Sequence, residues 1–367
     1  MNPLTGRDAL MVLNAVPQLG PIVVNRLLEA AAGNPGEALE MGMAERGGLR
    51  EGAREALREW RRRFDPEREK EGMEAAGARF LTRMDHEYPR LLNEIGDPPP
   101  GLYCRGRVPV GRPCLGIIGT RRCTAYGEAV AREFGRDLAR AGVCVVSGMA
   151  LGIDSAAHRG ALEGGGGTVA VLGSGVDVIY PWANRELAEE IVASGALLSE
   201  FPMRRRPDRI GFIRRNRVIS GMCPAVVVVE SDVDGGAMIT AGFAGEQGRT
   251  VCAVPGRIDQ PTSAGCHKLL RDGATLVTGV AEIVSELGVP VTLELPLGAA
   301  GEAPGVRAPD EAAVLKSLEG GALMSADALG ERTGLGADRL APALMLLELN
   351  RLVGRRPDGR YERLTRA

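Results

Sequence analysis

Between residues 113 and 288, short apolar β-branched runs alternate with helical stretches, and this alternation limits the fold more than any other feature. The runs fall at 115–119, 143–147, 168–172, 196–199, 225–230, 250–254 and 275–278. Helical patterns lie between them at 126–140, 154–163, 184–193, 212–222, 236–247, 266–271 and 280–287. Each run is continuously apolar instead of alternating, as a strand covered by helices on both sheet faces must be. The predicted fold class is therefore α/β, with a doubly wound, mainly parallel sheet.

The flanks read differently. Residues 1–65 are predicted to be a small helical domain. Leu10, Leu13 and Val16 recur at helical spacing, as do Val23, Val24, Leu27 and Leu28, with Gly20-Pro21 ending one helix and starting the next. A helix–hairpin–helix of this kind can offer backbone N–H groups to a DNA phosphate; a plain helical cap on a larger domain is an equal reading. Residues 66–112 are expected to connect it to the sheet, extended around Asp97-Pro98-Pro99-Pro100 because a residue before proline leaves the helical region, with a short strand at 102–106. Residues 289–308, rich in Pro, Gly and Ala, read as a linker. Residues 309–367 hold three short helical patterns and a hairpin with its tip at Pro357-Asp358-Gly359, the layout of a winged helix.

Composition narrows the function. The formal net charge is −2, so no global basic field points to a polyanion, although a basic groove on a neutral body is compatible with it. Aromatic residues are 4% of the chain, so any base-stacking platform must be small. Seven cysteines without CxxC spacing fit a reducing, cytoplasmic setting, and the opening residues lack a secretory pattern. Nothing is long and apolar enough to span a bilayer, so no membrane partner is expected. His86, His158 and His267 stand far apart, so no metal cluster is expected.

Ligands of open parallel sheets bind beyond the carboxyl ends of the strands. Here those ends are rich in glycine: Gly119-Thr120-Arg121-Arg122, Ser147-Gly148, Gly173-Ser174-Gly175 and Asp234-Gly235-Gly236. Glycine lets a phosphate approach backbone amides, and each following helix N-terminus favours negative charge. No GxxxxGK[ST] and no intact G-x-G-x-x-G is present, so neither an ATP nor a dinucleotide cofactor is supported. Arginines crowd the same loops: Arg121, Arg122, Arg185, Arg204–Arg206, Arg214, Arg215 and Arg217. Guanidinium groups beside amides suit a chain of phosphodiesters. For Arg204–Arg206 a solvated loop is an equal reading. Asp154 is expected to cap its helix with His158 ordering the turn, and Glu200 and Glu230 are acid–base candidates without a visible partner.

On these residues the chain resembles the DNA-processing protein A family (DprA/Smf) of natural transformation. The stretches that carry the resemblance include Ile117-Ile118-Gly119-Thr120-Arg121, Ser147-Gly148-Met149-Ala150-Leu151-Gly152-Ile153-Asp154, Tyr180-Pro181…Asn184, Ser199-Glu200-Phe201-Pro202 and Arg214-Arg215-Asn216-Arg217. The match runs from about 85 to 288. The resemblance implies an extended Rossmann-like domain that binds single-stranded DNA, protects incoming strands and helps load the RecA recombinase, acting as a homodimer and not as an enzyme. It also implies a SAM-like amino-terminal domain and a winged helix at the carboxyl terminus. Carried over by position, Gly119, Thr120 and Arg121 would hold phosphate, and Ser147 and Gly148 would supply a hydroxyl and amides. Asn184 and Arg185 would line the groove with Arg214, and Asn216-Arg217 would fix phosphate or a base edge.

Two positions depart from the family pattern: Ile213, where proline is frequent, and Asp234-Gly235-Gly236, where the family has serine-glycine-serine. The second change exchanges a hydroxyl for a carboxylate. An alternative reading is a nucleotide phosphoribohydrolase on a related sheet, suggested by Gly235-Gly236…Thr240…Glu246. A weaker one makes the basic hairpin (Arg351, Arg355, Arg356, Arg360) a duplex reader.

Overall fold

The computed structural model describes residues 4–16, 18–44, 49–287, 309–318, 322–349, 352–356 and 359–364. The expected linker 289–308 and the hairpin tip at Pro357 and Asp358 lie outside the described residues. The chain divides into two compact units, residues 1–293 and 294–367.

The first unit begins with helices α1 (Gly6–Ala15), α2 (Pro21–Ala30), α3 (Pro35–Met43), α4 (Glu51–Arg58), α5 (Trp60–Arg63) and α6 (Pro66–Ala75). Thr5 and Asp8 close a capping box on α1, each side chain accepting from the other's backbone N–H at 3.2 and 3.0 Å. Gly20 caps α2 and Pro21 occupies its first position, as expected.

The sheet has nine strands: β1 (Ala78–Thr82), β2 (Gly101–Gly106), β3 (Cys114–Ile118), β4 (Cys144–Ser147), β5 (Thr168–Val171), β6 (Ala196–Ser199), β7 (Ala225–Val228), β8 (Thr250–Ala253) and β9 (Thr275–Leu276). Their spatial order is β1-β2-β6-β5-β4-β3-β7-β8-β9. From β3 onward every neighbouring pair is parallel. The helices that join these strands are α7 (Ala125–Arg140), α8 (Ile153–Glu163), α9 (Arg185–Ser194), α10 (Arg209–Gly221), α11 (Gly236–Glu246), α12 (Ala264–Arg271) and α13 (Val280–Ser285). Alternate residues of each strand feed opposite cores. Leu115, Ile117 and Val145 pack under α7 and α8, whereas Ile118, Val146 and Val228 pack under α10 and α11. Full burial of side chains such as these contributes about 1.5–3 kcal/mol each.

The segment 66–112, read from sequence as a connector with one short strand at 102–106, carries that strand as β2 and, beyond the expectation, α6 and the strand β1. β2 pairs antiparallel with β6, and β1 antiparallel with β2. Its aromatic side chains carry the join, with Phe80 edge-on to the wholly buried Tyr103 at 4.9 Å. Helix α1 shares this core: Leu10 and Met11 cluster with Tyr103, Met149 and Leu172. Asn14 also donates its side-chain amide to the Glu200 carbonyl at 2.6 Å.

The second unit has α14 (Pro309–Ser317), α15 (Ala326–Thr333), α16 (Ala337–Leu349) and the antiparallel pair β10 (Val353–Arg355) and β11 (Tyr361–Arg363). Val314, Leu318, Leu329, Leu344, Leu347 and Val353 form its core, and Met324 bridges Tyr361 to add a third short edge. This is the winged-helix layout that the sequence suggested.

Candidate nucleic-acid interface

The chain leaves β3 toward β4, β5 and β6 on one side, then returns to build β7, β8 and β9 on the other. The carboxyl ends of β3 and β7 are therefore the topological switch point, where the loops part and leave an opening. A crevice of about 620 Å³ lies there, walled by Arg121, Arg122, Arg209, Phe212, Asn216 and Gly236. It continues past Arg121, Phe212 and Arg215 into a smaller hollow lined also by Tyr180.

Charge is arranged unevenly around it. Arg121, Arg122 and Arg209 are exposed and have no carboxylate partner among the described residues. The Arg121 guanidinium lies 5.2 Å from the centre of the Phe212 ring, which in turn stacks at a tilt on half-exposed Tyr180, 5.7 Å away. Helix α11 begins in the crevice wall at Gly236, and no side chain caps it, so its first amides are open to an anion.

Beneath this surface lie two buried groups of opposite charge, Asp154 and Arg215. Asp154 accepts the Gly148 and Ala150 N–H groups at 3.2 and 3.3 Å, and so fixes the loop after β4 instead of capping α8. Burial pushes its carboxyl above the usual range, against the pull of Arg215 and these amides. Arg215 donates to the Val171 carbonyl at 3.0 Å, and burial lowers its pKa to about 10, so it stays cationic. Its Nε has no hydrogen-bond partner. Two glycines make this floor feasible. A Cβ on Gly148 would sit 1.4 Å from Arg215 Nη1, and Gly152 holds φ +78° with its missing Cβ 2.5 Å from the Thr120 carbonyl.

Of the residues expected at the site, Gly119, Thr120, Arg121 and Asn216 come together on the crevice wall. Others have different employment. Ser147 is wholly buried and donates to the Ile117 carbonyl at 2.6 Å, while the Gly148 amide is taken by Asp154. Asn184 is buried and donates to the Met149 carbonyl and to Ser155 Oγ, both at 2.8 Å, which braces the β4 loop from behind. Arg185 is exposed but lies over Trp182 at 4.9 Å, and Arg214 lies over Phe201 at 5.1 Å; neither lines the crevice.

Arg217 is the largest correction. It is buried, paired with Asp97 at 3.2 Å and with Glu200, and donates to the Asp97 carbonyl at 2.6 Å. Its work is to tie the proline-rich segment to the sheet. Glu200 is thereby accounted for, and Glu230 accepts from the Thr124 N–H and hydroxyl at 2.8 and 2.5 Å, bracing the start of α7. His158 is wholly buried and hydrogen-bonded to Thr168 Oγ1 at 2.8 Å. Burial, aided by the Arg215 charge, lowers its pKa to about 3, so it is neutral. Glu246, at the far end of α11, is about 15 Å along the helix from Gly236.

Sequence reasoning missed Arg209, Phe212, Tyr180 and the role of Arg215. The signal was there in Asp208, which caps α10 by accepting from the Gly211 N–H at 2.6 Å. Reading that cap moves the helix start back to Arg209 and puts Arg209 and Phe212 one turn apart on the same face. Among the described residues no group of three or more His, Cys, Asp or Glu could hold a metal, and no helix is long and apolar enough to cross a membrane.

The sequence matches the family described as DNA recombination-mediator protein A over residues 79–288, and the DprA winged-helix domain over 298–359. The chain is a member of the DprA/Smf family. Members carry names as DNA-processing and recombination-mediator proteins. Protein Smf of Synechocystis is 33% identical over 383 residues, covering 95% of this chain and 96% of that protein. The DNA processing protein DprA of Streptococcus pneumoniae is 40% identical over 204 residues, 55% of this chain and 72% of that one. An X-ray structure of DprA from Streptococcus pneumoniae superposes with a TM-score of 0.69 at 30% identity, covering 78% of this chain and 99% of that chain. The Helicobacter pylori protein, solved for its mode of binding single-stranded DNA, gives 0.51 at 30% identity, covering 57% and 95%.

Proposed function

We propose that the crevice holds single-stranded DNA by its sugar–phosphate backbone, with bases stacked on the Tyr180–Phe212 edge. The observation that carries this reading is the set of exposed arginines, Arg121, Arg122 and Arg209, that converge on one opening, none of them paired with a carboxylate among the described residues. Three cations and the uncapped start of α11 suit successive phosphates, and an aromatic edge tolerates any base. The single-stranded DNA binding of the Helicobacter pylori relative supports the same reading. Protection of incoming strands, hand-over to the RecA recombinase, action as a homodimer and a cytoplasmic setting belong to this proposal on family membership.

Binding rather than catalysis is favoured by the carboxylates. Asp154 is buried and committed to two amides, and Glu246 is absent from the crevice wall, so neither supplies the base that a phosphoribohydrolase needs. The test is fluorescence anisotropy on labelled oligothymidine with Arg121→Ala/Arg209→Ala. We expect at least a ~10-fold loss of affinity and a salt slope shallower by about 1.4, that is, 0.7 for each of two phosphates. Wild-type affinity in this variant would overturn the proposal. Release of free base from nucleoside monophosphates would instead support the hydrolase.

A further inference from the structure

We propose a second phosphate-binding station beside the crevice, where Arg62, Arg68 and Arg204 face a hollow of about 330 Å³ between α5, α6 and the loop after β6. The station would carry a single strand off the sheet and onto the amino-terminal helices. It rests on the reading of the crevice as the single-stranded DNA site and extends that site.

The cations are held in different ways. Arg204 sits at φ +63°, a region that residues with a side chain seldom adopt. Its backbone N–H donates to both Asp177 carboxylate oxygens at 2.9 Å. Its guanidinium reaches the Arg68 carbonyl at 3.2 Å and Glu69 at 3.3 Å, so the side chain is fixed at the rim of the hollow. Arg68 is exposed with no carboxylate partner among the described residues. Arg62 is 82% exposed, and its contact with Glu59 at 3.4 Å is a surface pair one turn apart, the kind that contributes least.

Of the two acids of the hollow, Glu69 is paired with Arg204, which leaves Arg62 and Arg68 as the cations that no acid of the hollow neutralises, and Asp65 is engaged with the backbone. Glu69 is buried and accepts the Met203 N–H at 2.7 Å, and burial raises its pKa. Asp65 caps α6 by accepting from Glu67 N–H at 3.0 Å. Phe64 and Met203 add an apolar wall.

The hollow lies on the same edge of the sheet as the crevice. β6 is the third strand from β3 in the order β3-β4-β5-β6. Three inter-strand steps are ~14 Å, about four nucleotides at the ~3.4 Å rise of a stacked strand. Cations stand in that interval: Arg214 lies over Phe201 at 5.1 Å, Arg205 lies over the same ring at 5.6 Å while paired with Asp208, and Arg206 is exposed without a carboxylate partner among the described residues. The triplet Arg204–Arg206, equally readable from sequence as a solvated loop, thereby gains a place on the path.

The experiment compares Arg62→Ala/Arg68→Ala with the full-length parent on two labelled oligothymidines, of about four and about 20 nucleotides. Both replaced side chains are at the surface, so circular dichroism should be unchanged. The longer oligonucleotide should bind roughly tenfold more weakly, with a salt slope shallower by about 1.4, while the shorter binds as before. Equal affinity of parent and variant for the longer strand overturns the station and leaves the crevice untouched. Equal weakening on both lengths overturns it too, since the two arginines would then act on the crevice and not beyond it. Failure of the crevice reading itself shows separately, as unchanged binding of the shorter strand by Arg121→Ala/Arg209→Ala.

Discussion

Helix α10 carries arginines with two opposite fates. At its start Arg209 faces the crevice, exposed and unpaired with any carboxylate among the described residues; eight residues on, Arg217 is sealed between Glu200 and Asp97. Both are arginines of one helix, 13 residues long, yet one is free to meet a ligand and the other serves only the protein. The difference lies in whether a carboxylate arrives from elsewhere in the fold. Asp97 stands 120 residues before Arg217, so the pairing is set by tertiary structure and not by local sequence. Arginine density alone is therefore a weak guide to a binding surface, and arginine without a counter-charge is a strong one.

The sharpest way to break this contrast is Arg217→Ala. Removing one partner of a buried pair leaves the Glu200 carboxylate, 2% exposed, without its counter-ion. We expect a loss of ~3–5 kcal/mol in urea unfolding, against less than ~0.5 kcal/mol for Arg122→Ala at the surface. Comparable losses in the two variants would erase the distinction.

His158 sharpens the buried side of the comparison through pH. Its folded pKa of about 3 lies below the ~6.5 of an unfolded histidine. As pH falls below ~6.5 the unfolded chain takes up a proton that the folded one refuses, so this contribution, present above ~6.5, is lost progressively toward pH 3. Between pH 7 and pH 5 the single site removes ~2 kcal/mol. Unfolding of His158→Gln at the two pH values should show a decline smaller by that amount, and an identical decline would mean that His158 titrates normally.

The smallest effect concerns the open side. Asp234 brings a carboxylate to the crevice wall. Asp234→Ser should tighten oligothymidine binding about two- to threefold at low salt, with the gain fading as salt rises. Weaker binding would show that the carboxylate serves the ligand.

How far these arrangements were legible follows from where each signal resides. Strands β3 to β8 and their helices announce themselves, because a strand buried on both faces must be apolar throughout, and each run such as Leu115–Ile118 carries that mark by itself. β1 does not: Ala-Arg-Phe-Leu-Thr is short, follows α6 closely, and becomes a strand only because β2 is there to pair with it. In the site, the turn at Gly119-Thr120-Arg121 was readable from glycine beside arginine after a strand. The internal commitments of Ser147, Asn184 and Arg217 were not, since each side chain has as its partner a residue at least 17 positions away. Arg215 combines both cases, as its burial depends on the absence of a side chain at Gly148.

The antiparallel β1–β2 pair has a practical consequence for anyone wishing to dissect the molecule. It lays the leading helices against the outer strands, so that Leu10, Met11, Phe80 and Tyr103 roof over Met149, Ala170, Leu172 and Leu187. Trimming the chain back to β3 would unroof that face and bare a greasy flank next to the crevice. A shortened form that clumps, or that grips DNA poorly, would then report a lost lid over the hydrophobic interior, and its behaviour could not be charged to the missing helices' own grip on the strand.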